Sequence, residues 1–171
     1  KLKFLKRIWL RLMLRHFSII TISELEKRYL KLHRSNAIVT VRKNRINGSL
    51  KGRPTSQPDQ RKLDLYVIGR LYNEQKGLRR LAKYAEIIKE RHLHLLGETD
   101  GNALDSFITE LGPNSVTSHG FIENPWEVIN GVLLMPSVYE GLPLVLMEAS
   151  KLNVPVVAQN IPELRLLVQK Q

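Results

Sequence analysis

The stretch MPSVYEGLPLVLMEASKLNVPVVA, residues 135–158, decides the fold class of this chain. An apolar segment ends at Pro136, a helix-forming segment runs from Leu142 to Leu152, and the β-branched segment VPVVAQ follows at 154–159. A strand, a helix and a second strand joined by short loops form the unit from which parallel sheets are built. The stretch therefore predicts an α/β domain.

The same alternation continues on both sides of this stretch. The predicted strands are 63–69, 92–97, 115–120, 131–136 and 154–159, and the predicted helices are 77–89, 102–111, 125–130, 142–152 and one that Pro162 opens. Nearly continuous apolar strands are typical of parallel sheets that are buried on both faces. The pattern predicts a doubly wound sheet, in which ligands bind beyond the carboxyl ends of the strands.

The first third of the chain differs from the rest in charge. Residues 1–60 carry 15 Lys+Arg against 3 Asp+Glu, a balance of +12, whereas residues 61–171 carry 12 against 13, a balance of −1. A basic segment suggests nucleic acid, an anionic membrane surface or an acidic protein as partner. The absence of cysteine excludes disulfides, thiolate metal sites and a cysteine nucleophile.

Residues 47–60, NGSLKGRPTSQPDQ, have the composition of a linker or an exposed loop. We therefore expect the domain boundary here. Before it, residues 1–41 predict a helix over 1–15, a strand at 17–23, a helix from Ser23 and a strand at 37–41. The chain begins with lysine rather than methionine, so we expect a fragment. It contains no apolar run of about 18 residues, the length that spans a membrane.

A first candidate site follows the strand at 63–69. Gly69 allows close approach of a ligand to the backbone. Arg70 and Lys76 offer two cations next to the start of a helix, which suits a phosphate group. The alternative is two solvated charges in a surface loop.

A second candidate site contains Glu140 and Glu148. If residues 140–148 were all helical, their carboxylates would lie ~12 Å apart, which exceeds the ~5 to 9.5 Å of glycosidase pairs. Two separate roles along an extended ligand fit better than a hydrolytic pair. A helix over this segment would place Gly141 to Val145 in its first turn, with N–H groups available to an anion. Alternatively, local N–H groups satisfy both glutamates.

Other motifs are weak. GETDG, residues 97–101, is explained equally well by a plain turn. His92 and His94 share one face of a strand, but no HExxH, GxSxG or P-loop pattern occurs. We expect no metal site.

Four stretches in this order resemble the donor-binding C-terminal lobe of GT-B fold glycosyltransferases, in particular the retaining family 4 type (glycosyl transferases group 1). They are VIGRLYNEQKGL (67–78), LHLLGETDG (93–101), VTSHGFIENPWEVI (116–129) and the opening stretch, in which Glu140 and Glu148 form an E-x7-E signature. The resemblance implies a partial N-terminal acceptor lobe at 1–46, a linker at 47–60 and a C-terminally incomplete donor domain at 61–171. Asn153 stands where the family usually has glycine.

The resemblance also implies roles for individual residues. Arg70 and Lys76 would bind the donor diphosphate, Glu148 the ribose hydroxyls, and Glu140 the donor sugar and the charge that develops near its anomeric carbon. Catalysis would rest on Glu140, Arg70 and Lys76, with neither metal nor cofactor. The implied donor-binding residues are Gly69, Arg70, Lys76, Phe121, Ile122, Glu140, Gly141, Leu142, Leu144 and Glu148.

The implied function is transfer of a sugar from a nucleotide-sugar donor to a saccharide or lipid-linked acceptor, in cell-surface polysaccharide or glycolipid synthesis. We expect the fragment to be inactive alone. The alternatives are a GT-B-like sugar-nucleotide epimerase or phosphorylase and, from another class, a basic nucleic-acid-binding module. We expect a cytoplasmic protein, with residues 1–15 either docked on an anionic membrane face or buried in the acceptor lobe.

Overall fold

The computed structural model divides the chain into two compact units, Lys1–Arg45 and Ile46–Gln171. It describes residues 5, 8, 12, 18–21, 24–33, 35, 37–42, 50, 52, 63–71, 74–99, 101–141 and 143–168.

The described residues of the smaller unit include a two-stranded parallel sheet and the helix that connects its strands. Strand β1 (Ile19–Thr21) pairs with β2 (Val39–Val41), and helix α1 (Glu24–His33) connects them. Ala37 and Val39 are buried against Ile19 and Leu30. The predicted order of strand, helix and strand is therefore found. Of the predicted helix at 1–15, residues 5, 8 and 12 are described and helical, and the others lie outside the described residues.

The larger unit is built on a five-stranded parallel sheet. Its strands, in chain order, are β3 (Asp64–Ile68), β4 (Leu93–Leu96), β5 (Val116–Ser118), β6 (Gly131–Met135) and β7 (Val156–Ala158). Their order across the sheet is β5-β4-β3-β6-β7. From β3 the chain first adds β4 and β5 on one side of the sheet and then β6 and β7 on the other. This is the doubly wound arrangement that the sequence predicts.

Helices cover both faces of the sheet. They are α2 (Leu78–Leu81), α3 (Ala85–Arg91), α4 (Gly101–Leu111), α5 (Leu144–Lys151) and α6 (Pro162–Val168). Leu65, Val67 and Leu95 point to the face that packs on Ile88 and Phe107. On the other face, Tyr66, Leu96, Leu133 and Met135 form a second core with Trp126, Ile129, Leu146, Ala149 and Leu164. Alternate residues of each strand therefore supply the two cores.

Two predicted helices differ from the structure. The predicted helix at 77–89 is interrupted by a 3-10 turn at Ala82–Tyr84, which separates α2 from α3. The predicted helix at 125–130 is a single 3-10 turn, Pro125–Glu127. The physical reason is the short connection, because β6 already begins at Gly131 and leaves room for one turn only.

The backbone conformation after helix α5 explains why asparagine can stand where the family usually has glycine. Asn153 has a φ of +56°, in the left-handed region. Glycine adopts this conformation most easily, and asparagine tolerates it better than most other residues do. Asn153 therefore preserves the turn that leads from α5 into β7.

The segment predicted as a linker or exposed loop is described at two positions. Leu50 packs against the core that contains Trp126. A Cβ on Gly52 would lie 2.9 Å from Leu152 Cδ1 and 3.4 Å from Trp126 Cβ. Both positions therefore belong to the larger unit and pack against its core, which the linker-like composition does not indicate. Within the part of the chain that the structure describes, no helix is long and apolar enough to cross a membrane.

Candidate functional site

The site lies where the direction of chain winding reverses, between the carboxyl ends of β3 and its neighbours. Gly69 and Arg70 follow β3, and the loop from Pro136 to Gly141 follows β6. In doubly wound sheets such a switch point forms a crevice, because the chains leaving the two central strands turn to opposite faces.

A buried cluster of polar side chains occupies this crevice. Lys76 Nζ lies 2.9 Å from Glu140 Oε1, and the Ser137 hydroxyl donates to the same oxygen at 2.6 Å. The side chains of Lys76 and Glu140 are only 18% and 7% exposed. In such a position, removal of either partner leaves an uncompensated charge, so the pair holds the lysine ammonium against the Glu140 carboxylate.

Backbone contacts hold the lysine loop against the glutamate loop. The N–H of Val138 donates to the carbonyl of Gln75 at 2.7 Å, and the Gln75 side-chain amide donates to the carbonyl of Tyr139 at 3.3 Å. Gly77 permits this approach, since its φ is +66° and a Cβ there would lie 2.3 Å from the Pro136 carbonyl oxygen. The sequence thus places a glycine directly after Lys76 where the two loops touch.

Lys76 also passes across the end of β3. A Cβ added to Gly69, whose φ is +139°, would lie 2.8 Å from Lys76 Cε. The predicted residues Gly69, Lys76 and Glu140 are therefore brought together. Lys76 is not one of two solvated charges, because it is mostly buried and paired with Glu140, whereas Arg70 is exposed.

Arg70 lies instead at a neighbouring cavity of about 270 Å³. This volume is close to the lower limit of ligand pockets, ~300 Å³, and suits one part of a larger ligand. Phe121 and Ile122 line the same cavity, and Phe121 is 75% exposed. The lining residues are Ile68, Gly69, Arg70, Leu96, Gly97, Glu98, Phe121, Ile122 and Pro125.

Glu148 projects from helix α5, separately from the lysine cluster. Its Oε2 accepts a hydrogen bond from the indole N–H of Trp126 at 3.1 Å. Among the described residues, Glu140 contacts the side chains of Lys76 and Ser137, and Glu148 accepts from the indole of Trp126; neither contact comes from an N–H group of the helix end. The hypothesis that local N–H groups satisfy both glutamates is therefore not supported in the described part of the chain.

The start of helix α5 differs from the expectation that Gly141 to Val145 form its first turn. The helix begins at Leu144, with Pro143 as its N-cap in an extended conformation. The reason is Pro143 itself, because a residue that precedes proline is sterically disfavoured in the helical region. Gly141 lies before the helix, and Leu142 lies outside the described residues. The helical estimate of the distance between the carboxylates does not apply, since Glu140 precedes the helix.

Two residues of the site were missed from the sequence. Ser137 is buried in the loop of the opening stretch, three positions before Glu140, and was not recognised as a site residue. Trp126 has the character of a core residue, and only the rule that a buried indole N–H needs an acceptor points to a polar role. Both donate hydrogen bonds to the predicted glutamates, Ser137 to Glu140 and Trp126 to Glu148.

His92, His94 and His119 lie on a different part of the sheet, on or next to β4 and β5. His94 Nδ1 and His119 Nε2 are 2.9 Å apart, and His94 Nε2 lies 3.5 Å from Asp64 Oδ2. Burial, together with repulsion by His92, lowers the pKa of His94, and Asp64 opposes this effect. Across the described ranges, no group of three or more His, Cys, Asp or Glu side chains could hold a metal ion.

Comparison with solved structures identifies the fold. The chain is similar to WaaG, a glycosyltransferase involved in lipopolysaccharide biosynthesis, with a TM-score of 0.71, 14% identity, and coverage of 89% of this chain and 47% of WaaG. It is similar to Anabaena HepE in complex with UDP and glucose, with a TM-score of 0.75, 21% identity, and coverage of 94% and 49%. It is also similar to the lipopolysaccharide outer core galactosyltransferase WaaB in its apo form, with a TM-score of 0.60, 25% identity, and coverage of 81% of this chain and 42% of WaaB.

The chain thus has the Rossmann-like lobe of the GT-B fold and spans about half the length of these proteins or less. No curated protein matches its sequence significantly. The model of the family described as "Glycosyl transferases group 1" matches residues 62–171, which cover most of the larger unit. The chain therefore belongs to the glycosyl transferases group 1 family.

Proposed function

We propose that this chain supplies the nucleotide-sugar donor site of a glycosyltransferase that transfers a sugar to a saccharide or lipid-linked acceptor. The observation that carries the proposal is the buried pair of Lys76 and Glu140 at the switch point, adjacent to the cavity at Arg70. This pair supports the proposal because it lies at the strand ends where doubly wound sheets bind ligands. Uridine diphosphate is our candidate for the nucleotide part, because HepE, which shares the fold, was solved with UDP and with UDP-glucose.

The proposed chemistry follows from charge. During transfer, the bond between the anomeric carbon and the β-phosphate oxygen breaks, and its electron pair leaves with the nucleoside diphosphate. The acceptor hydroxyl oxygen forms the new bond to the anomeric carbon, and its proton passes to the departing diphosphate. Lys76, held by Glu140, and Arg70 would stabilise the growing negative charge on the diphosphate, and such preorganised groups contribute most where water is excluded. We assign the base to the cavity near Ile122, and the ribose to Glu148.

Donor binding is expected to be independent of divalent metal. The cations of Lys76 and Arg70 supply positive potential at the proposed diphosphate position, so no ion is needed to neutralise it. The measurement is isothermal titration of UDP into the chain, with and without EDTA, after circular dichroism has confirmed that the sample stays folded. Equal affinities are predicted, whereas loss of binding in EDTA would refute this description of the diphosphate site.

Glu148→Gln is expected to weaken UDP binding by about 1 to 3 kcal/mol, the usual loss when a charged hydrogen-bond acceptor is removed. The substitution keeps the shape of the side chain and an acceptor oxygen for Trp126. A titration with UDP measures the effect, and Glu163→Gln, on the partly buried first turn of helix α6, serves as the matched control. An unchanged affinity in the Glu148 variant would remove its ribose role.

We also propose that residues 1–15 dock the protein on the anionic cytoplasmic face of a membrane, where a lipid-linked acceptor would lie. Leu5, Ile8 and Leu12 are helical and are 61%, 42% and 49% exposed. Exposed apolar residues combined with cations are typical of interfacial helices. Polysaccharide or glycolipid synthesis is the proposed context.

Substitution of Lys3, Lys6, Arg7 and Arg11 by glutamine is expected to reduce binding to anionic vesicles sharply and to leave UDP affinity unchanged. Each basic residue near such a surface contributes roughly 1 kcal/mol. Co-sedimentation with vesicles that contain or lack anionic lipid measures the effect. Equal binding to neutral vesicles, or no loss in the glutamine variant, would favour burial of this helix in an acceptor lobe.

A further inference from the structure

The indole of Trp126 connects two parts of the proposed donor site. Its N–H donates to Glu148 Oε2 at 3.1 Å, although the two residues belong to different elements. Trp126 lies in the 3-10 turn Pro125–Glu127, whereas Glu148 lies in the interior of helix α5. This bond uses one carboxylate oxygen and thereby sets the direction in which the other oxygen points.

The position of the indole is fixed by its packing. Trp126 is 3% exposed and belongs to the core that includes Ile129, Leu146 and Ala149. The indole N–H can only donate, so Glu148 Oε2 can only accept in this hydrogen bond. A donor held in this way restricts the conformations of the carboxylate before any ligand binds. Ligand binding then costs less conformational entropy, which is the advantage of a preorganised site.

The same short segment also shapes the neighbouring cavity. Ile122 and Pro125 line the cavity that we assign to the base, and Trp126 follows Pro125 directly. Segment 121–126 thus contacts the proposed base region with one part and the proposed ribose carboxylate with the next. A base and a ribose are joined covalently, so their two subsites need a fixed separation, and this segment provides it.

We propose that Trp126 is a positioning residue, which orients Glu148 through its indole N–H so that the free carboxylate oxygen meets the ribose hydroxyls of the donor. The inference rests on the proposed function of Glu148. It adds a residue that does not touch the ligand but acts on the geometry of one that does.

The test compares two ligands on the whole chain, UDP and 2′,3′-dideoxyuridine diphosphate, which lacks the ribose hydroxyls. Trp126→Phe keeps an aromatic ring in the core and removes the N–H donor. We expect it to weaken UDP binding about three- to tenfold, less than the loss of a direct hydrogen bond to a charged group because Trp126 acts only through Glu148, and to leave binding of the dideoxy ligand unchanged. Val128→Ala, at an exposed position two residues after Trp126, is expected to change neither affinity.

A second variant guards against a folding defect in Trp126→Phe. Replacement of Trp126 by benzothienylalanine, in which sulfur replaces the N–H group, preserves the volume of the indole and is expected to show the same selective loss. A purely structural role predicts equal losses for both ligands. Equal losses, or no loss, in the benzothienylalanine protein would overturn the positioning role.

Glu148→Gln separates this inference from the proposed function. If that variant binds UDP and the dideoxy ligand in the same ratio as the wild type, the ribose role of Glu148 is wrong and the inference falls with it. If Glu148→Gln loses the discrimination but the Trp126 variants keep it, only the positioning role is wrong. When both are right, adding Trp126→Phe to a Glu148→Ala protein causes no further loss of UDP affinity.

Discussion

Lys76→Met is expected to lower the free energy of unfolding by about 2 to 4 kcal/mol, because Glu140 would remain buried without its cation. The Ser137 hydroxyl would be the remaining donor to Oε1 among the described partners. The same variant is expected to weaken UDP binding about ten- to a hundredfold, since a charge-assisted contact to phosphate disappears. Denaturant unfolding and isothermal titration measure the two effects separately.

Two controls distinguish the structural role of Lys76 from its proposed ligand role. Lys89→Met removes a lysine from an exposed pair with Glu86 and should change stability by less than about 1 kcal/mol. The double variant Lys76→Met, Glu140→Gln removes both charges and is expected to recover most of the stability but not the UDP affinity. Recovery of both properties would show that Lys76 acts only through Glu140.

Gly77→Ala is expected to destabilise the chain by about 2 to 4 kcal/mol, because backbone strain and steric overlap add. Its φ is +66°, and the new Cβ would lie 2.3 Å from the Pro136 carbonyl oxygen, which is a backbone atom. Relief of this overlap requires the two loops to separate, which would move Lys76 away from Glu140. We therefore expect UDP affinity to fall together with stability.

Gly120→Ala is the matched control for this prediction. Gly120 has the same φ of +66°, but a Cβ there would meet no atom within 4 Å. The control variant therefore carries only the strain of the left-handed conformation, about 1 to 2 kcal/mol. Equal destabilisation by the two alanines would mean that the contact between residue 77 and Pro136 does not hold the loops together.

The sequence predicted the sheet because its strands carry a strong local signal. The apolar run at 63–69 is too continuous for a surface strand, and glycine or proline marks the ends of several segments. Element boundaries were less predictable. Periodicity alone does not reveal the 3-10 turn at Ala82–Tyr84, since apolar residues keep helical spacing through it. The start of α5 could have been inferred from Pro143, whose effect on its neighbour is local.

For the site, the sequence predicted which residues lie at strand ends but not which of them touch. The pairing of Lys76 with Glu140 spans 64 positions. It depends on the approach of two loops that only the sheet order brings together. The contact between Trp126 and Glu148 has the same origin, because helix α5 and the 3-10 turn pack on one face of the sheet. Sequence spacing carries no information about such contacts when no local element contains both residues.

We propose that the diphosphate of a nucleotide sugar binds between β3 and β6, and a crystal structure of the chain with bound UDP would test this proposal. We expect the diphosphate within hydrogen-bond distance of Lys76 and Arg70, uracil in the cavity near Ile122, and the ribose hydroxyls at Glu148. UDP bound away from Lys76, with the pair of Lys76 and Glu140 untouched by the ligand, would contradict it.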